Sequence, residues 1–363
     1  MDRSMDPESN GWEGHDPAEQ DIRRIVLSYA VRAPSPHNTQ PWIVEFDGTH
    51  RIHLFIDQEH LLPASDPEYR QACISHGAFI ENLDLASRNF GYRTDIDLFP
   101  GGWPGSTLDF EKPLATMELE KDDAVERDAL FAQILERETN RRVYRDRSVS
   151  WEQITELSMA NESNFVATGF ITERSTCEIF AGYIVRAMEI DVSGEDRVAE
   201  TLRYFRFSGE EGEECRDGYG IAQCGIPGIS RKLADKSLIS RERAESPCSL
   251  FGREAVKLTR RQAVSAATFG WISTKGNTHT DQVKAGRTYE RVCLKAAEMG
   301  LAVQPFSQVL CEYPDMEETR GELRDYMGIS PTHTLQMIFR AGYADRTAHT
   351  KRRPVADFIR AVT

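Results

Sequence analysis

Two short stretches hold residue types that can grip a ligand. The first is Ala33-Pro34-Ser35-Pro36-His37-Asn38-Thr39-Gln40-Pro41-Trp42, in which Ser35, His37, Asn38 and Gln40 alternate with backbone-stiffening prolines. The second, about a hundred residues later, is Arg137-Glu138-Thr139-Asn140-Arg141. In an extended segment the side chains of Arg137, Thr139 and Arg141 share one face. Two guanidinium groups and a hydroxyl on one face can hold a phosphate dianion by charge-assisted hydrogen bonds. Taken alone, each stretch has a plainer reading. The first can be a helix-to-strand turn with Trp42 in the core, and the second a solvated basic run pairing with Glu136 and Asp146.

The first loop has the chemistry that the edge of a planar heterocycle such as a flavin requires: fixed donors and acceptors with the ring faces left open. Two further segments are candidates. Lys351-Arg352-Arg353-Pro354 is a second basic cluster, and a cation beside such a ring would stabilise the anion formed on its reduction. Gly300-Leu301 closes a helix and leads into Gln304-Pro305-Phe306-Ser307-Gln308, a turn whose backbone can face a flat ring. GxGxxG after a strand, GxxxxGK[ST], HExxH and GxSxG are all absent. His50, His53 and His60 lie near one another in sequence without partner cysteines, so no metal site is expected.

The elements that must position these residues follow from periodicity. Asp16-Pro17-Ala18-Glu19 reads as a helix start, and Ile22, Ile25, Val26 and Tyr29 continue it to about 32. Strands are expected at 42–46 and 52–56 around an Asp47-Gly48 hairpin, then a helix over 67–90 and a strand at 95–99. Gly101 to Gly105 reads as a loop. From about 121 a second unit begins, with an amphipathic stretch at 129–135 leading into Arg137. Ser150-Trp151-Glu152-Gln153 is a capping box, followed by a strand near 165–171 and helices near 175–190, 252–271 and 281–299. A late strand covers 335–339. Residues 208–250, rich in glycine and acids, read as a long insertion that can cover a site. Helices mixed with short, often hairpin-linked strands give an α+β class.

Composition bounds the function. The 363 residues suffice for a large core, and a net charge of −14 argues against nucleic acid or anionic lipid as partners. Seven cysteines with no CxxC pair argue against a disulfide framework or a zinc ribbon and for reduced thiols in the cytoplasm. The polar first ten residues show no signal-peptide pattern, no stretch has the length of a membrane span, and residues 1–15 read as a loose tail.

These motifs in these positions resemble the nitroreductase superfamily of FMN enzymes. In that family an RxSxR segment, a PSxxNxQPW loop, a helix ending in Gly-Leu and a C-terminal basic-Pro motif build two FMN sites across a homodimer. The phosphate grip comes from one subunit and the PSxxN loop from the other. Here Pro34-Ser35…Asn38-Thr39-Gln40-Pro41-Trp42 has no RxSxR ahead of it. Arg137-Glu138-Thr139-Asn140-Arg141, Gly300-Leu301 and Lys351-Arg352-Arg353-Pro354 lie in the second half, where Ala160-Asn161-Glu162-Ser163-Asn164-Phe165 fails to match a second PSxxN loop. The resemblance therefore implies two tandem nitroreductase-like halves, 16–120 and 121–363 with the insertion at 208–250. They would form a single-chain pseudo-dimer with one FMN site between them, homodimerisation being left open. Within the superfamily the chain is most similar to the Acg-like subgroup, through Asp66-Pro67-Glu68-Tyr69-Arg70, Ser75-His76-Gly77 and Glu81-Asn82-Leu83.

The resemblance assigns the phosphate to Arg137, Thr139 and Arg141, with Asn140 nearby. Ser35 and Asn38, then His37 and Gln40, would face the ring. Pro305, Phe306 and Ser307 would flank its pyrimidine side, and Lys351 and Arg353 would reach the phosphate or the N1/O2 edge. It implies an oxidoreductase that passes electrons from NAD(P)H through FMN to a small organic acceptor, with no catalytic side chain required. The alternatives are a protein that stores or sequesters FMN under a lid, and a flavin-free relic.

Overall fold

The computed structural model describes residues 21–102, 108–225, 241–244 and 250–361. Its helices are α1 (Ile22–Ala30), α2 (Arg70–Asn89), α3 (Trp151–Met159), α4 (Arg174–Asp191), α5 (Glu195–Tyr204), α6 (Gly209–Cys215), α7 (Arg241–Ala244), α8 (Phe251–Val264), α9 (His279–Glu298) and α10 (Glu317–Tyr326). The strands are β1 (Trp42–Asp47), β2 (Arg51–Ile56), β3 (Tyr92–Leu98), β4 (Ala115–Lys121), β5 (Val166–Ile171), β6 (Phe205–Arg206), β7 (Tyr219–Gly220), β8 (Thr268–Lys275), β9 (Ala302–Pro305) and β10 (His333–Gly342).

Two four-stranded sheets share one plan. Their orders are β1-β2-β4-β3 and β5-β8-β10-β9, and every pairing within them is antiparallel. In each sheet a 20-residue helix follows the second strand, α2 in the first and α9 in the second. Among the described residues the third sheet is only the two-residue parallel pair β6-β7.

The two long helices cross at glycine. A Cβ on Gly77 would overlap the Val283 carbonyl oxygen, and one on Gly286 would overlap the Ile74 carbonyl oxygen. Small neighbours, Cys73, Ala78, Ala285 and Cys293, keep the two surfaces thin. Four residues beyond each glycine lies a buried glutamate, Glu81 on α2 and Glu290 on α9.

Sequence periodicity finds most elements and misplaces several ends. The first helix has Asp21 as its N-cap, its side chain accepting from the Arg23 amide. The Asp16 to Glu19 start and the 1–15 tail lie outside the described residues. The amphipathic stretch at 129–135 is a 3-10 turn over Ala129–Gln133. The helix expected over 252–271 stops at Val264, and β8 begins at Thr268, where Thr-Phe-Gly-Trp-Ile takes up pairing with β10. The Ser150 capping box forms in both directions. In the 208–250 insertion the described parts include α6, β7, a 3-10 turn at Ile221–Gln223 and α7, whereas 226–240 and 245–249 lie outside them. Most of the Gly101 to Gly105 loop lies outside them too.

The C-terminal tail leaves the second sheet and returns to the first. Val44 bridges Ile359, Arg360 N donates to Val44 O, and Phe358 packs against Trp42. Among the described residues no helix is long and apolar enough to cross a membrane.

Gly286→Ala is expected to lower stability by about 1–3 kcal/mol or more, since backbone cannot yield as a side chain does. Gly321→Ala, in α10 with open space around it, is expected to be neutral or to add up to about 1 kcal/mol. Urea denaturation of the two variants checks the pair.

Candidate functional site

The end of α1 organises the site. A helix C-terminus leaves carbonyls without partners and favours cations. Arg352 supplies one: its Nε donates to Val31 O (2.9 Å) and its Nη2 to Arg32 O (3.1 Å). Arg137 supplies another, its Nη2 donating to Arg32 O (3.1 Å). One helix end thus fixes guanidinium groups from two distant segments, with Arg32 itself beside them.

The Pro34–Trp42 loop then turns tightly. His37, Asn38 and Gln40 all have φ between 51° and 56°, a left-handed conformation that costs non-glycine residues and is easiest for asparagine. Bonds hold it there. Ser35 Oγ accepts from Gln40 N (3.0 Å), and Asn38 Nδ2 donates to Gly218 O (2.8 Å) and Lys351 O (3.0 Å). Gln40 is wholly buried: its Nε2 donates to Arg216 O and its Oε1 accepts from Arg353 N, each at 3.0 Å.

Between loop and cluster lies a cleft of about 300 Å³. Arg32, Pro34, Ser35 and Asn38 line it from the first stretch, Arg137, Thr139 and Arg141 from the second, and His349, Thr350 and Arg352 from the tail. The two sequence stretches therefore meet. Arg141 lies over the Tyr219 ring (4.8 Å), and Tyr219 and Gln223 of the insertion also line the cleft. Glu136 and Glu138 sit at the same cleft, but Arg346 is paired with Glu136 and lies 3.6 Å from Glu138.

Cations crowd this space. Burial, then the nearby Arg137 and Arg32, push Arg352 down to about 9. Burial and Arg216 lower Arg32 as well. Burial, then Arg141, push His37 down to about 4, so it is neutral near pH 7 and bonds Thr201 Oγ1 through Nε2 (3.0 Å). Arg32 Nε, Arg137 Nε and Asn38 Oδ1 are buried without a hydrogen-bond partner among the described residues. Mutually repelling guanidinium groups crowded around a cleft are what a phosphate dianion would stabilise.

Several expected residues lie elsewhere. Asn140 is a strut: its amide donates to Asp345 O and Glu138 Oε1, and its Oδ1 accepts from Arg142 N. Phe306 packs in an apolar cluster with Phe269 and Ile338, the buried Ser307 Oγ accepts from Ile338 N, and Pro305 pairs with Phe339 in the sheet. Gln262 intervenes, bonded to Arg141 O on one side and to Gln304 on the other. Lys351 turns out to Glu213 (2.5 Å), and Arg353 to Gln40 O (2.7 Å) and Asp57 (3.7 Å). In the extended tail their alternation leaves Arg352, not Lys351 and Arg353, facing the cleft. His37 faces α5 and Gln40 supports the loop from behind. Sequence reasoning missed Arg32, His349, Arg352 and Tyr219. Membership of the basic-Pro cluster was the available signal for Arg352; Tyr219 had none.

No family model matches the chain. It is 26% identical over 344 residues to the protein provisionally named NAD(P)H nitroreductase Rv3131 of Mycobacterium tuberculosis, covering 93% of this chain and 90% of that one. It is 34% identical over 82 residues to the protein named acg of the same organism, covering 22% and 24%. A nitroreductase with bound FMN from Bacteroides fragilis aligns over 62% of this chain and 94% of its own, at 11% identity and a TM-score of 0.34.

The unfolded chain takes up a proton on His37 that the folded chain refuses, so this residue costs stability as pH falls from 6.5 through about 4. In His37→Asn, which tolerates the same φ, the fall in urea-measured stability across that window is expected to be shallower by up to about one proton.

The sequence similarity to Rv3131 spans nearly the full length of both chains, and the fold of this chain is α+β.

Proposed function

We propose that the chain binds one FMN in this cleft and acts as a nitroreductase-like oxidoreductase, moving electrons from NAD(P)H to a small organic acceptor such as a quinone or nitro compound. The observation that carries the reading is the meeting of Ser35 and Asn38 with Arg137, Thr139 and Arg141 around one cleft. The fit supports FMN rather than riboflavin, because Arg32, Arg137, Arg141 and Arg352 line the cleft. Relatives carry the same activity in their names: NAD(P)H nitroreductase for Rv3131, acg and PigM.

Arg137, Arg141 and Arg352 would hold the phosphate, and Thr139 would add a hydroxyl. Ser35 and Asn38, on a loop locked by Gln40, would orient the rest of the cofactor. Bound FMN supplies the two-electron carrier. The protein supplies position and a pocket from which the Tyr219 segment excludes water.

The matching sheet orders and the Gly77/Gly286 crossing support two tandem halves forming a monomeric pseudo-dimer. A second cleft, of about 450 Å³, is lined by Asp128, Met159, Ala160, Glu162 and Arg291, the 159–162 turn following α3 as the Pro34 loop follows α1. Its cations other than Arg127 are already paired with carboxylates. Arg291 pairs with Glu81 (2.8 Å), Asp128 (2.8 Å) and Glu162 (2.5 Å), Arg88 with Asp84, and Lys295 with Glu298. One FMN per chain follows. A reducing, cytoplasmic setting fits the described cysteines, all free thiols.

One observation favours a second reading, FMN storage. The insertion is clamped onto the site: Arg216 Nε donates to Arg352 O, and Gly218 N and Gly218 O both bond Asn38. A site that stays closed would hold FMN and exclude a nicotinamide.

Purified protein is expected to be yellow and, once stripped, to bind FMN at one per chain. Arg141→Ala is expected to weaken FMN about 10–100-fold while sparing riboflavin, and Arg127→Ala in the second cleft to change neither. Fluorescence-quenching titrations measure this. Colourless protein with no FMN-induced rise in Tm would refute flavin binding. Anaerobic NAD(P)H that leaves the bound flavin oxidised would favour storage.

A further inference from the structure

Glu290 has no role in the account so far, yet it is the most poorly satisfied carboxylate near the site. It is 0% exposed, and neither of its oxygens has a well-formed hydrogen bond among the described residues. The Asn82 amide beside it on α2 also lacks one. Among the described residues its one ion-pair neighbour is Arg137, whose Nε lies 3.4 Å from Glu290 Oε1. Glu81, at the matching position of the other long helix, contrasts with it: it is held by Arg287 at 2.7 Å and Arg291 at 2.8 Å. A buried carboxylate so weakly held remains charged only while net positive charge surrounds it.

We propose that Glu290 is the exchangeable counter-charge of the anion cleft: it balances Arg137 while the cleft is open and takes a proton from solvent when a phosphate monoester occupies the cleft. The inference rests on the reading of this cleft as a phosphate site. The groups that face Glu290 decide the sign. From the 137–141 segment comes Arg137, from the tail Arg352, from α2 Asn82 and Glu81, and from its own helix Tyr289 and Cys293. Burial raises the Glu290 carboxyl above the usual range, while Arg137, Asn82 and Arg352 pull it back. A dianion that engages Arg137 and Arg352 offsets the two cations that keep Glu290 ionised. Glu81, already negative nearby, adds to the push. The carboxylate then becomes a neutral acid, and the cleft exchanges one negative charge for another. Affinity for the phosphate should fall as pH rises, since more protons must be supplied.

The test is isothermal titration of the full chain with FMN, and separately with inorganic phosphate, in HEPES and in Tris, whose ionisation enthalpies differ. Protons taken up per phosphate bound are expected to be greater in the wild type than in Glu290→Gln by up to about one. The ligand's own protonation is common to both and drops out of the difference. Riboflavin, lacking the phosphate, should show no such difference. Equal uptake in wild type and variant overturns the proposal. Should the variant fail to fold, the infrared difference spectrum of the wild type on phosphate binding decides: a new carboxylic-acid C=O band is expected, and its absence overturns the proposal. Failure of FMN to bind would defeat the flavin reading alone, because the inorganic phosphate titration still reports on Glu290.

Discussion

Backbone meets backbone where α2 and α9 cross, and the rest of the arrangement hangs on that approach. Glycine at 77 and 286 lets each helix rest on a carbonyl of the other. No side chain could be inserted there without separating the helices, and with them the sheets that each helix follows. The crossing also sets the electrostatics. Glu81 and Glu290 lie one turn beyond the two glycines, on the same face as the contact, which brings Glu81 to Arg287 and Arg291 and Glu290 to Arg137. The geometry that closes the core is therefore the geometry that places carboxylates beneath both clefts.

The clefts then differ in how their charge is balanced. In the second, Arg291 is bonded to three carboxylates and to the Ala160 carbonyl, so its donors are consumed within the chain. In the first, Arg352 bonds only carbonyls and the Thr350 hydroxyl, and Arg137 bonds the Arg32 carbonyl with Glu290 as its one nearby carboxylate among the described residues, so most of the positive charge is left without a counter-ion. Burial makes that residue of positive charge expensive, as the depressed Arg352 indicates. A cleft left in this condition has stability to gain from an anion, whereas its counterpart would have to break ion pairs to accept one.

Much of this was legible in the sequence, and the limits have physical causes. The hairpin of β1 and β2 and the two long helices were readable because turn chemistry and periodicity are local signals. The meeting of Ser35 and Asn38 with Arg137 and Arg141 was legible only through a resemblance to a family. What failed was parity and depth. A one-residue shift in an extended tail exchanges Arg352 for its neighbours. Phe306 and Ser307 look the same in sequence whether they face a ring or, as here, a core. The helix expected past Val264 gives way to β8 because pairing with β10 overrides local preference at Thr268 and Phe269. Glu290 carried no motif at all, since a glutamate on an amphipathic helix is most simply a surface residue.

A fusion of two halves, as proposed, would let one plan hold two such different clefts. In a homodimer every substitution falls on both sites, so a carboxylate that neutralises one arginine cluster neutralises its twin. On the reading of this chain as two joined halves, that coupling is gone. Asp128 and Glu162 can fill one cleft while Thr139 and Ser35 stay open in the other. The same freedom applies to what covers the site. The insertion from α5 to α8 has no counterpart between β1 and β2, which are joined by a short turn around Gly48, and it reaches Asn38, Arg141 and Arg352 at the first cleft. A cover built for one cleft is available only to a chain in which the halves have become distinguishable. The asymmetry of Glu81 and Glu290 is the same fact seen in the core: two positions related by the helix crossing, one tied down by two arginines and one left responsive to what enters from outside.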